Sequence, residues 1–320
     1  MNAKASQFFK TIGRLAMAFA TAVVAASLTI GAAAAPPGNA ARTFSSPEEA
    51  VKALVDAAKS NNLDAIIQIF GTANREWLLS GDEAEDAMKV QRFIAAYEQK
   101  SSIAMEGSDK AMLNVGDDDF PFPFPLVQKS GRWSFDAVAG KEELLNRWVG
   151  MDELNTIQAL HAIVDAQREY AAMSRGQGQI AQYAQKFRSS PGKKDGLYWP
   201  AAAGEKESPL GPLVADAVRA GYRASSANTG PVPYHGYYFR ILTGQGEHAA
   251  GGAYDYVAKG KMIGGFGVLA YPAKYGVSGV KTFMVSNDDV VYEADLGPGT
   301  QKGAEKIQKF DPGGGWQKAE

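Results

Sequence analysis

Twice along this chain, apolar residues spaced three and four apart give way to short runs bounded by glycine, proline, asparagine and aspartate. Such spacing marks the buried face of a helix and short bounded runs mark strands, so the repeated order confines the fold to α+β with antiparallel sheets. The first cycle opens at Ser46-Pro47-Glu48-Glu49. There the Ser46 hydroxyl accepts an orphan backbone N–H, Pro47 suits the first helical position and Glu49 reaches back. Ala50, Leu54, Val55 and Ala58 follow at helical spacing, and this helix is expected to end near Asn61. A second helix is expected over residues 63–70, stopping at Gly71, and a third over 82–99 with Met88, Phe93, Ile94 and Tyr97 as its apolar side. Runs 102–106, 111–115, 124–129 and 132–136 read as strands, with Gly107-Ser108-Asp109 and Ser130-Gly131 as hairpin turns.

The second cycle starts with a connecting helix at 141–148 and a long helix at 152–173, whose apolar arc is Leu154, Ile157, Leu160, Ile163, Val164 and Tyr170. Helix is expected to resume over 180–187 and again over 210–220. Strands follow at 236–242, 262–271, 280–286 and 290–294, with Asn287-Asp288-Asp289 joining the last two, and a final helix lies near 301–309. The expected organisation is a lead-in at 35–43, an N-terminal domain at 44–137, a connecting helix at 138–150 and a C-terminal domain at 151–320. Three helices and a four-stranded antiparallel sheet give the first domain an NTF2-like or cystatin-like layout. In the second, a long helix packs on an antiparallel sheet.

Between the first hairpins stands Asp117-Asp118-Asp119-Phe120-Pro121-Phe122-Pro123-Phe124-Pro125. Prolines there lack the N–H an interior strand needs, which makes the segment an extended surface connection or a sheet edge. Three adjacent carboxylates lack the alternating ligands, glycine turn and distal glutamate of a calcium loop, so they read as a solvated acidic turn.

The leading residues carry Lys4, Lys10 and Arg14, then an uncharged stretch from Leu15 to Ala35 that is mostly alanine. That is the layout of a secretory signal of the general export route, with a cut expected after Ala34 and a periplasmic or secreted product. An uncleaved anchor is the alternative, since the uncharged run is long enough to span a bilayer. After cleavage no stable membrane anchor is expected. Cysteine is absent, so the fold holds by packing alone, and thiol catalysis, thiolate zinc sites and lipid attachment at a cysteine are excluded. The formal net charge is −2 and the isoelectric point about 6.0, which gives no electrostatic reason to bind nucleic acid.

Chemistry-bearing residues are few. Of three histidines, His161 lies one helical turn from Asp165 and could share a proton or a metal with it. His235 stands at a strand entrance and His248 in a glycine-rich loop, without the short ligand spacing of a zinc site. No Gly-x-Ser-x-Gly elbow, penicillin-binding Ser-x-x-Lys set, phosphate loop or cofactor motif is found, and neither cofactor nor metal is assigned. The candidate catalytic residues are therefore His161, Asp165 and His235. Candidate binding residues are aromatic: Tyr198, Trp199, Tyr234, Tyr237, Tyr238, Tyr254 and Tyr256, with Tyr271 and Tyr275 nearby. Such a set either stacks on sugars or docks an extended peptide, or fills the core between helix and sheet.

Several stretches carry a resemblance. They include Asn155-Thr156-Ile157-Gln158-Ala159-Leu160, Asp195-Gly196-Leu197-Tyr198-Trp199-Pro200, Ser208-Pro209-Leu210-Gly211-Pro212-Leu213-Val214, Tyr234-His235-Gly236-Tyr237-Tyr238-Phe239-Arg240-Ile241-Leu242 and Gly251-Gly252-Ala253-Tyr254-Asp255-Tyr256. With Tyr271-Pro272-Ala273-Lys274-Tyr275-Gly276 they resemble the secreted bacterial family known as domain of unknown function 2950, which implies no activity. The second half is also similar to the heads of type IV pilins and pseudopilins, where a helix lies across an antiparallel sheet. It departs from them in having a whole domain before that helix. These readings favour a non-enzymatic envelope protein that binds or scaffolds, its partner a cell-wall glycan or another envelope protein. The alternative is a periplasmic hydrolase of wall glycan or peptide. N-terminal sequencing of the protein recovered from its native cell should begin at Ala35; recovery from cytosol with Met1 attached would reject the export reading.

Overall fold

The computed structural model describes residues 40–176, 180–202, 204–219, 222 and 232–319. The expected signal and its cut after Ala34 lie outside these residues.

Helix α1 spans Pro47–Lys59 and starts as its residues dictate: the Ser46 side chain accepts from the Glu49 N–H at 3.2 Å. Glu49 reaches back one residue further than expected, to the Ser45 N–H at 2.7 Å. Helix α2, Leu63–Phe70, is capped by Asn62 and ended by Gly71. A short helix α3, Arg75–Leu78, precedes α4, Glu83–Gln99, which Asp82 caps. The first sheet holds β1 (Ser101–Glu106), β2 (Lys110–Val115), β3 (Phe120–Pro121), β4 (Leu126–Lys129) and β5 (Arg132–Phe135). All pairings are antiparallel in the order β1-β2-β4-β5, with β3 on the far end of β2. Alternation along β2 buries Ala111, Leu113 and Val115 against Leu54 and Val55 of α1 and Ile67 and Phe70 of α2.

The Phe-Pro run is a sheet edge only at its start. Phe120 and Pro121 pair with Val115 and Asn114, after which Phe122 and Phe124 turn inward, Phe124 being 2% exposed. Proline breaks the ladder and frees each intervening phenylalanine to follow the core rather than the sheet. The preceding aspartates stay at the surface, where Asp119 pairs with Lys100 at 2.6 Å.

From Ala137 to Gly176 the chain is one forty-residue helix, α5. The expected separation into helices at 141–148 and 152–173 is absent. Gly150 costs a helix only about 1 kcal/mol relative to alanine. Packing on both sides of it outweighs that, through Leu144 and Trp148 in the first core and Leu160, Ile163 and Val164 in the second. Another glycine brings α5 close to the Phe-Pro run: a Cβ on Gly140 would overlap the Phe124 ring and stand 2.7 Å from the Pro123 carbonyl.

Helix α6 is Gly211–Arg219, and the second main sheet is built from β6 (Tyr237–Leu242), β11 (Gly267–Pro272), β12 (Lys281–Ser286), β13 (Val291–Asp295) and β14 (Gln317–Lys318). Its order is β14-β13-β12-β11-β6, antiparallel throughout. The expected strand at 262–271 is broken over 263–266: of its residues before Gly267 only Met262 is in a strand, in a small ribbon of β9 (Val257–Ala258) with β10 (Lys261–Met262). A second ribbon pairs β7 (Gly244–Gln245) with β8 (Tyr254–Asp255). One face of the main sheet packs on α5 through Val268, Ala270, Phe283 and Val285; the other is covered by α7 (Thr300–Lys306) and Phe310. Among the described residues no helix is long and apolar enough to cross a membrane.

Residues 180–187 are not the expected helix. The buried Gln167 side chain accepts from the Ala184 N–H and donates to the Ala184 carbonyl, both at 2.8 Å, while Tyr183 bridges to Met262. A side-chain amide thus takes both backbone groups that a helix would have used. Gln167→Leu should lose about 1–3 kcal/mol for each of the two groups left unpaired, read from urea unfolding; an unchanged midpoint would reject this role.

Candidate functional site

Asp82, which caps α4, is followed one turn on by the neighbours Glu85 and Asp86, then by Lys89 and Arg92 at three-residue steps, so the five run along one side of the helix. Such a stripe normally faces water. Here Glu85 is fully buried, and Asp82, Asp86 and Lys89 nearly so. The carboxylates sit in and just before the first turn, where the helix dipole favours negative charge. Ser80, ahead of the cap, donates its N–H to both Asp86 oxygens at 3.1 and 3.2 Å.

Three other segments close on this stripe. From α5, Asp152 Oδ2 meets Lys89 Nζ at 2.9 Å, and Lys89 also stands 4.8 Å above the Trp148 ring. From the entrance of β6, Tyr234 and Tyr237 exchange backbone hydrogen bonds around His235 and Gly236, whose φ values are 49° and 73°. Two left-handed residues make the tight turn that suits a hairpin. Only glycine fits its second position, because a Cβ on Gly236 would lie 2.7 Å from Ser278 Cβ. The turn aims His235 Nδ1 at Glu85 Oε2 (2.8 Å) and the Gly236 N–H at Asp82 Oδ2 (3.0 Å). Lastly, the Tyr222 hydroxyl lies 3.1 Å from Asp82 and 3.2 Å from Glu85, and accepts the His235 N–H at 2.8 Å.

Electrostatics follow from burial and partners. Burial pushes the Asp152 carboxyl up to about 7, despite the Lys89 charge beside it. Burial likewise raises Asp82 against donation from Gly236 and Glu85, and raises Asp86 against donation from Ser80. Burial also acts on Glu85, but His235, Lys89 and Arg92 together outweigh it and hold that carboxyl below its usual range. The Tyr222 hydroxyl is raised by burial and by the two carboxylates.

Beside this network lies a cavity of about 240 Å³ between α1, α2, α4, α5 and the Phe-Pro run. Leu54, Ile66, Phe70, Phe93, Phe122 and Leu144 give it apolar walls. Its charged lining residues are Asp86, Lys89 and Arg147. The Arg147 guanidinium is engaged by Glu143, by the Pro121 carbonyl at 2.9 Å and by the Phe120 ring at 4.2 Å.

The residues expected to carry chemistry lie apart. His161 pairs with Asp289 at 2.7 Å rather than with Asp165, which is exposed and meets Arg168 at 3.3 Å. His235 belongs to the buried network, and His248 pairs with Asp311 at 3.1 Å. Each histidine has its own carboxylate, and among the described residues no group of three or more histidines and carboxylates is placed to hold a metal. Among the aromatic residues, Trp199, Tyr237 and Tyr256 are buried, the tyrosine hydroxyls being used by the Lys281 carbonyl (2.9 Å) and Gln245 Oε1 (3.1 Å). Tyr234 packs on His235 and Tyr222, and Tyr238 on Tyr271. Tyr198 is half-buried beneath Arg188, and Tyr254, 42% exposed, stands edge-on to Tyr256. The polar stripe of α4 and the cavity beside it were missed in sequence; the spacing 82-85-86-89-92 is their signal.

A family model described as protein of unknown function (DUF2950) matches residues 41–319, and the chain belongs to that family. No curated protein matches it. No solved structure matches either, and the likeness to pilin heads gains no support there.

An acid whose folded pKa exceeds its unfolded value keeps a proton that the unfolded chain has shed, so its contribution to stability falls as pH rises between the two values. For Asp152 that window runs from its ordinary 3.8 to about 7, and the raised Asp82 and Asp86 act with the same sign. Urea midpoints measured from pH 4 to pH 8 should decline across the window and decline less in Asp152→Asn. Parallel profiles for the two proteins would rule this out.

Proposed function

We propose that this chain is an exported, non-enzymatic binding module of the cell envelope, and that its ligand is a small apolar molecule held in the cavity between α1, α2, α4 and α5. The cavity carries this reading: a concave, partly open space walled by leucine, isoleucine and phenylalanine side chains lets an apolar guest bury most of its surface. The separation of the three histidines supports binding over hydrolysis, because each is held by a different carboxylate. The cationic leader followed by an uncharged, alanine-rich run supports the envelope address.

An engineered cavity of about 150 Å³ accepts benzene, so 240 Å³ suits roughly ten heavy atoms. At about 0.6–0.8 kcal/mol per atom, such a ligand binds with a dissociation constant between about one and tens of micromolar. Titration with n-butylbenzene should shift the emission of Trp148 and raise the melting temperature saturably. Val90→Phe, which fills the cavity from α4, should abolish both effects while leaving the far-ultraviolet circular dichroism unchanged. No saturable response in the parent protein, or an undiminished one in Val90→Phe, would overturn the reading.

A further inference from the structure

The apolar cavity has one polar wall, and its composition is specific. Asp86 and Lys89 stand three residues apart on α4, adjacent on the helix surface, and both line the space. Both are buried, at 7% and 8% exposure, so a ligand would meet them away from bulk water. Neither is used up by the protein. A carboxylate offers about four acceptor sites, and the Ser80 N–H takes up part of that capacity on Asp86. An ammonium has three donors; Asp152 takes one from Lys89 and the Trp148 ring faces its charge at 4.8 Å, which still leaves an N–H to donate. The remaining charged group of the lining, Arg147, is committed to Glu143, Pro121 and Phe120.

An anion and a cation side by side on an otherwise apolar wall discriminate by charge. A carboxylate-headed ligand drawn to Lys89 is repelled by Asp86, and by Glu85 and Asp152 behind it; an amine drawn to Asp86 is repelled by Lys89, with Arg92 further along the helix. Burying either charge without a matched partner is costly. A group that both donates and accepts satisfies the pair without adding charge. Resting on the cavity reading above, we propose that the occupant is a small uncharged alcohol or phenol of about ten heavy atoms, its apolar body among Leu54, Phe70 and Phe93 and its hydroxyl donating to Asp86 while accepting from Lys89.

Four ligands of nearly equal size separate the possibilities in titration calorimetry on the full chain at pH 8: 3-phenyl-1-propanol, 3-phenylpropanoate, 3-phenylpropylamine and n-butylbenzene. The alcohol should bind at least tenfold more tightly than the acid and the amine, and Val90→Phe should abolish its binding. Asp86→Asn keeps an oxygen for the Ser80 N–H, so the fold should survive, and it leaves Lys89 as the charged member of that wall. In that variant the acid should gain at least fivefold relative to the alcohol and the amine should lose. If n-butylbenzene binds but the three headed ligands fall within threefold of one another, or Asp86→Asn leaves their ratios unchanged, head-group selection is refuted and the cavity reading stands. If n-butylbenzene fails to bind as well, the cavity reading falls with it.

Discussion

The contact between Lys89 and Asp152 joins parts of the chain 63 residues apart through side chains that are almost wholly withdrawn from solvent. Such a pair contributes little net stability, since desolvating two ions costs about what their attraction returns. An unpaired carboxylate or ammonium at this depth is strongly unfavourable, so α4 and α5 are held in the one relation that brings these two groups together. The rest of the polar network then has fixed places to fill: Glu85 and Asp82 face the His235-Gly236 turn, and the Tyr222 hydroxyl closes the remaining gap. The same helix lines the apolar cavity, with Asp86, Lys89, Val90 and Phe93 all on its wall.

Much of the secondary structure was legible in the residues. The Ser46 cap, the stop at Gly71 and the hairpin turns at Ser130-Gly131 and Asn287-Asp288-Asp289 each rest on local stereochemistry, and each is found in place. The misreadings share a cause. Gly150 resembles a boundary, yet packing on both sides of it decides, and residues 180–187 look helical until Gln167, distant in sequence, takes their hydrogen bonds. Local signals describe what a segment prefers in isolation; here tertiary partners override the preference.

The polar stripe of α4 was the hardest part to read. A run of acidic and basic residues at helical spacing is the same pattern whether it faces water or a buried counter-charge. What distinguishes the two is Asp152, His235 and Tyr222, which lie 63 to 150 residues away from their partners on the stripe. The histidines illustrate the converse. His161 and Asp165 looked like a pair because one helical turn separates them, but the β12–β13 turn delivers Asp289 to His161 instead.

Helix α5 contributes to both cores without interruption, and an α-helix advances by about 100° and 1.5 Å per residue. Its two ends are therefore in phase only for one number of residues between them. A single insertion between Trp148 and Leu160 would keep every side chain present and every local propensity satisfied. It would nonetheless swing the Leu160, Ile163 and Val164 face about a quarter-turn away from the second sheet, or else carry the Trp148 face out of the first. Length here acts as a shared reference for the two halves, so this stretch should accept substitutions on its outer surface far more readily than any change in residue count.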